Sequence, residues 1–166
     1  MFPLFLDLTG RRVVLVGAGP VAHAKERQLA DAGANVRVVA PEVFAPGDLD
    51  GAWLVVAAAS PDVNRQVAAA AMERRLFVNA VDDIPNATAF LAGIVRRGGV
   101  TLAISTDGDA PALTALLREA LDEVLPDDLA AWLTIARDER AQWKRDRVPL
   151  DARKPLLLDA LNRRYQ

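Results

Sequence analysis

The chain has 166 residues, 52% of them hydrophobic and 25% charged, with a net charge of −2. That size and balance suit one globular core, or one core with a helical appendage, and exclude a disordered chain and a sequence-independent nucleic-acid binder, which needs a basic excess. Cysteine is absent and His23 is the only histidine, which excludes thiolate catalysis, a structural zinc site and a His-based triad.

The opening MFPLFLDLTG is apolar, but it lacks a basic start and contains Asp7, so it reads poorly as a signal peptide. No apolar run reaches membrane-spanning length. A reducing cytoplasm is the expected location, with neither a membrane nor a nucleic acid as partner. The next stretch, VVLVGAGPVAHAK over 13–25, is the most telling. An apolar β-branched strand at about 12–16 runs into Gly17-Ala18-Gly19 and then into a helix from Pro20 to Ala32, stopped by Gly33. That order sets backbone N–H groups and a helix N-terminus around a pyrophosphate. Gly17 is assigned the tight turn, Gly19 the close approach of a phosphate, and Ala22 the small residue needed for helix–strand packing. A dinucleotide is the expected ligand, although two glycines between a strand and a helix also arise from turn chemistry alone.

A second strand is predicted at Asn35–Val39. Glu42 follows it, 23 positions after Gly19, close to the interval at which an acidic residue meets adenosine ribose hydroxyls. This favours NAD over NADP, and an ordinary exposed Glu beside Pro41 reads equally well. The connection from Pro41 to Ala52 is short and carries no helix pattern; Pro41, Pro46, Gly47 and Gly51 indicate an irregular loop. Trp53–Ala58 is a continuous apolar run, the mark of a strand buried on both faces of a parallel sheet. Ser60 is placed to cap a helix from Pro61 to Arg74, and Leu76–Ala80 and Val100–Ser105 read as two further strands. Strands separated by helices give an α/β, Rossmann-like, mostly parallel sheet over residues 1–105.

Beyond Thr106 the period changes. Leu113, Leu116, Leu117, Ala120, Leu121 and Val124 fall on one helical stripe, opened by Asp109 and Pro111 and closed by Pro126, so this helix is expected to bury a face. Further helices are predicted at Asp127–Arg145 and Arg153–Arg164, divided at Val148-Pro149. Residues 106–166 therefore read as a helical dimerisation and tail region, one that packs on a partner subunit or closes over a ligand.

Ligands of open α/β sheets bind beyond the carboxyl ends of the strands. Asn79, Asp82 and Asp83 follow one such end, and Asp82 is the candidate base, although both aspartates could simply start a turn before Pro85. Ser105 to Asp109 could bind an anion through hydroxyls and N–H groups, or merely form a turn and a helix cap. Lys25, Arg27, Arg74, Arg75, Arg96 and Arg97 could lend positive potential for a polyanionic substrate, or lie on solvated faces. His23 reads as a spectator, since a metal site needs several converging donors, and no metal ligands are assigned. Trp132 and Trp143 are expected to pack.

In combination, FPLFLDLTGRRVVLVGAGPVAHAK, VRVVAPE, DLDGAWLVVAAAS, FVNAVDD and LAISTDGDAPALTALLREALDEVLP resemble the precorrin-2 dehydrogenase/sirohydrochlorin ferrochelatase family, including the amino-terminal module of fused siroheme synthases. The likeness runs from Phe2 to about Pro126. It implies NAD held by Gly17, Gly19, Pro20 and Val21, with Pro41 and Glu42 on the adenosine side, and Asp82 as general base in oxidising precorrin-2 to sirohydrochlorin. It also implies a homodimer, a tetrapyrrole substrate and, in some members, transient ferrous iron inserted with the help of the same carboxylate. Three features depart from the family pattern: the short Pro41–Ala52 connection, the turn Ser105-Thr106-Asp107-Gly108, and Phe90-Leu91-Ala92-Gly93 where the family has Phe-x-x-Pro-Ala. A non-catalytic NAD-sensing paralogue and a chelatase without dehydrogenase activity are the alternatives.

Overall fold

The computed structural model describes residues 1–165; Gln166, the last position of the expected helical region, lies outside them. The chain divides into two compact units, Met1–Leu91 and a second beginning at Ala92. The first holds β1 (Arg12–Gly17), α1 (Gly19–Asp31), β2 (Asn35–Val39), β3 (Leu54–Ala58), α2 (Pro61–Glu73) and β4 (Phe77–Ala80). The strands form one parallel sheet in the order β2-β1-β3-β4.

Period-two alternation explains why β1 and β3 read as unbroken apolar runs. Val13, Leu15, Leu54 and Val56 cluster with Ala22 and Leu29 of α1, whereas Val14, Val16, Val55 and Ala57 cluster with Val67, Ala68 and Ala71 of α2. Both faces are covered, so every position must be apolar. Burying each of these valines and leucines contributes about 1.5–3 kcal/mol.

The connection between β2 and β3 consists of two short 3-10 turns, Pro41–Val43 and Pro46–Leu49, the second anchored by fully buried Leu49. Asp48 fastens it: its side chain pairs with Arg37 and accepts the Ala45 N–H at 3.0 Å, and its carbonyl accepts from Arg12 at 3.2 Å. Ser60 occupies the cap position of α2, but its side chain makes no cap bond. Buried Asn64 instead fixes the chain just before the helix, its side-chain oxygen accepting the Ala59 N–H at 3.1 Å, and its own N–H makes the first helical bond, to the Ser60 carbonyl at 2.8 Å.

The second unit holds β5 (Gly93–Arg97), β6 (Val100–Ile104), α3 (Pro111–Val124), α4 (Leu129–Arg145) and α5 (Leu150–Asn162). Here the expected extension of the parallel sheet is corrected. β6 pairs antiparallel with β5 in a separate two-stranded sheet, joined by Gly98-Gly99 with φ of +56° and +82°. A two-residue loop with both φ values positive closes a hairpin, whereas a parallel strand needs a crossover of a dozen residues or more. By contacts the hairpin groups with the helices, so the division at Leu91/Ala92 lies upstream of the 105/106 division expected from sequence.

α3 lies on the hairpin through its polar side. A methyl on Gly93 would meet the Thr114 methyl at 2.6 Å, and Arg97 donates to the Leu125 carbonyl at 2.6 Å and pairs with Asp122 at 3.0 Å. The expected burial of the leucine stripe is not met within the chain: no residue of α3 is buried, and Leu116 is 62% exposed. α4 starts two residues later than predicted, and α5 starts three earlier, with Pro155 inside it. Trp143 is buried, as expected. Trp132 is half-buried, and its indole N–H also donates to the Tyr165 hydroxyl at 2.6 Å, which donates in turn to Asp128 at 2.8 Å.

Candidate functional site

A parallel sheet gathers all its carboxyl ends at one edge. Gly17 is paired with Ala58, Val16 with Val39, and Ala57 with Ala80, so the segments after β1, β2, β3 and β4 stand side by side. β2 lies on one side of β1 and β3 on the other, which makes the β1/β3 crevice the point where strand order reverses and ligands enter.

The two glycines of the first turn do different work. A Cβ on Gly17 would lie 2.6 Å from the Ala58 carbonyl oxygen and 3.1 Å from the Ala22 Cβ. Its φ is not in the left-handed region, so the tight-turn role expected of Gly17 is corrected: its bareness lets β3 and α1 close up. Gly19 supplies the turn, with φ +81°, and no atom lies within 4 Å of where its Cβ would be. That open space fronts the first turn of α1, which no side chain caps. Helix-terminal N–H groups left free in this way are anion ligands. Pro20 has no N–H to offer and acts instead by presetting the helical φ. Val21 is half-exposed beside it. The residues present therefore fit a dinucleotide pyrophosphate.

Pro41 and exposed Glu42 form the short turn after β2, one strand over from the glycine loop. Asp82 follows β4, two strand spacings from β1 on the other side, or about 10 Å. The Val81 N–H donates to the Ala57 carbonyl at 2.8 Å, fixing the chain just before Asp82. Asp82 is exposed, has φ +55°, and its carboxylate has no hydrogen-bond partner among the described residues. A left-handed backbone costs an L-residue roughly 1–2 kcal/mol, least for Asn and Asp.

Its neighbours are occupied. Asp83 accepts from the Asn86 amide at 2.9 and 3.0 Å, and Asn79, 7% exposed, donates to the Ala89 carbonyl at 2.9 Å. The Thr88 hydroxyl accepts the Val78 N–H at 2.9 Å, which closes the open edge of β4. Asn64, Asn86 and Thr88 were not singled out from the sequence; the available signal was polar side chains at the ends of apolar strands, where backbone groups need partners.

The other candidates separate into committed and free groups. Arg74 pairs with Asp50 at 2.9 Å, and Arg97 is tied to Asp122 and Asp127, so neither is spare charge. Lys25, Arg27, Arg75 and Arg96 have no ion pair among the described residues. His23 is exposed on α1. Ser105 and Thr106 follow the turn reading: their hydroxyls accept the N–H groups of Asp107 at 3.2 Å and Ala110 at 3.3 Å. Two carboxyls are held below their ordinary range, Asp7 by the Thr9 hydroxyl and N–H, and Asp128 by the Tyr165 hydroxyl and then Arg164. No group of three or more His, Cys, Asp or Glu converges to hold a metal, and no helix is long and apolar enough to cross a membrane, among the described residues.

The family model described as "Putative NAD(P)-binding" matches residues 4–93, more than half of the chain, and the model described as "Sirohaem biosynthesis protein central" matches 97–123. The chain belongs to the putative NAD(P)-binding family that the first of these models describes. The family resemblance carried by the glycine loop, VNAVDD and the 102–126 segment is thereby met. Siroheme synthase 3 of Aeromonas hydrophila is 40% identical over 162 residues, covering 86% of this chain and 35% of that protein. The siroheme synthase of Azotobacter vinelandii is 39% identical over 163 residues, with the same coverage. The chain thus spans about a third of the length of these relatives. A solved structure named SirC, precorrin-2 dehydrogenase, shares the fold at a TM-score of 0.68 and 24% identity, over 96% of this chain and 88% of that one.

Proposed function

We propose that this member of the family is an NAD-dependent precorrin-2 dehydrogenase, working as a cytoplasmic homodimer and producing sirohydrochlorin for siroheme. The observation that carries the reading is the pairing of an uncapped, unobstructed turn at Gly19 with a free carboxylate at Asp82 on the same edge of one sheet. NAD, when bound, takes up the hydride that leaves the reduced tetrapyrrole. Asp82 accepts the proton lost from the same substrate, so precorrin-2 gives up two electrons and two hydrogens in all. The N–H groups of Gly19 and Val21 hold the pyrophosphate from the helix end that Pro20 presets, while Glu42 and Pro41 border the adenosine ribose. Gly17 serves that site by letting the helix and strand close behind it. Lys25, Arg27 and Arg75 leave positive charge uncompensated in the same unit, available to a substrate rich in carboxylates.

The homodimer is supported by the leucine stripe of α3, an apolar surface that its own unit does not cover. Ferrous iron is read as a second substrate, with the pyrrole protons again passing to Asp82.

The test is anaerobic incubation of the purified protein with precorrin-2 and NAD. The reading expects the sirohydrochlorin spectrum to develop with one NADH formed per tetrapyrrole. NAD binding without oxidation would make the protein a sensing module. Iron insertion into sirohydrochlorin with no NAD-dependent oxidation would make it a chelatase alone.

A further inference from the structure

We propose that Asp83 and Asn86 form a side-chain clamp that positions the carboxylate of Asp82, which makes both of them positioning residues for the proton transfer. The inference rests on the reading of Asp82 as the base and goes beyond it by naming what holds that base in place.

The need for a clamp follows from the backbone. Asp82 has φ +55°, a conformation that persists in an L-residue only when its surroundings over-determine it, and its exposed side chain gains nothing from burial. The constraint must therefore come from the chain on either side. Upstream, the Val81 N–H donates to the Ala57 carbonyl of β3 at 2.8 Å. Downstream, both oxygens of Asp83 accept from the one Asn86 side-chain nitrogen, at 2.9 and 3.0 Å, and the Asn86 N–H returns to the Asp83 carbonyl at 3.1 Å. The turn Ile84–Asn86 is thus closed from side chain and backbone together. Beyond it, the Thr88 and Ala89 N–H groups donate to the Val78 carbonyl at 2.8 and 2.9 Å, and Asn79 donates to Ala89, so the far end of the loop is pinned to β4.

The chemistry of the pair is also selective. Two carboxylates adjacent in sequence would compete for the same donors. Occupying Asp83 with the Asn86 amide turns one carboxylate into a fastener and leaves the other free to meet substrate. Without the amide, Asp83 swings, the turn loses its side-chain closure, and Asp82 relaxes toward an ordinary backbone conformation.

Four proteins decide the matter: the wild type, Asp82→Asn, Asn86→Ala, and the charge-preserving double variant Asp83→Asn with Asn86→Asp, which exchanges donor and acceptor. Turnover of precorrin-2 with NAD is measured for each, together with NAD affinity and the amide-to-α-proton coupling of residue 82 in NAD-free protein, which reports its φ. Asn86→Ala is expected to lower kcat about 10–100-fold, the scale of an ångström-sized misplacement, with KM and NAD affinity unchanged and the coupling at residue 82 altered. The double variant is expected to restore both kcat and the coupling. Asn86→Ala with wild-type kcat and coupling, or a loss the double variant fails to repair, overturns the clamp while inactivity of Asp82→Asn leaves the base assignment standing. Wild-type turnover by Asp82→Asn overturns the base assignment, and the clamp with it.

Discussion

At Gly17 an added methyl would press on the Ala58 carbonyl at 2.6 Å, a backbone atom that cannot step aside without moving β3. Gly17→Ala is accordingly expected to cost about 1–3 kcal/mol of stability, the scale of overpacking in a tight core, when followed by urea denaturation. Gly19→Ala meets no atom but must hold φ +81° and narrows the approach of a phosphate. It is expected to weaken NAD binding by more than tenfold while lowering stability less than Gly17→Ala does; calorimetry and denaturation on both variants separate the two effects. An equal loss of NAD affinity and stability in both would mean that the glycines share one role. Identity at these positions was readable in the sequence, since small residues between a strand and a helix mark a phosphate turn. Which glycine turns the chain and which permits packing was not, because that depends on the neighbouring strand's carbonyl.

Elements show the same division between pattern and partner. β1, β3, α1 and α2 were legible because apolar runs and helical spacing state directly which faces are covered on both sides of a sheet. The hairpin was not: Val100–Ser105 looks like any buried strand, and only Gly98-Gly99 between it and Ile94-Val95 betrays an antiparallel partner. Asp82 could be singled out from its place after a strand, whereas the Asp83–Asn86 bond that leaves it free depends on side chains three residues apart meeting across a turn. The end of the last helix carries a further contact that no periodicity announces. Asp128 accepts from the Tyr165 hydroxyl at 2.8 Å and from Arg164 at 3.0 Å, which holds its carboxyl below the ordinary range. Because the folded-state value is lowered, this contribution to docking of the Arg163–Tyr165 turn is fully present above the ordinary carboxylate range and is lost as the pH falls through the lowered value. Tyr165 is the only tyrosine, so its ring resonances report the change without interference. They are expected to shift with a midpoint more acidic than that of a free aspartate, and Asp128→Asn is expected to abolish that transition; a midpoint at the ordinary value would contradict the contact.

For the whole molecule, the open question posed by the fold is what lies over α3. Its polar side meets β5 through Thr114 and Asp122, and its opposite stripe, Leu113, Leu116, Leu117 and Val124, faces outward. If a second copy covers that stripe, sedimentation will give twice the 17.9 kDa chain mass, and Leu116→Lys will shift the protein toward a single chain. A single-chain mass for the wild type at micromolar concentration would remove the homodimer from the account. The departures from the family pattern bear on this scale as well. The short Pro41–Ala52 connection is fastened to its own unit by buried Leu49 and by the Arg37–Asp48 pair.

In the proposed function, cofactor binding and proton acceptance reside in different groups on one sheet edge: the turn at Gly19 binds, and Asp82 takes the proton. Measuring NAD affinity by calorimetry and precorrin-2 turnover side by side in the wild type and in Asp82→Ala tests it most directly. The account predicts that turnover falls by at least about 100-fold, at the lower end of what a positioned base contributes, while NAD affinity stays at the wild-type value. Parallel loss of both, or undiminished turnover, would contradict it.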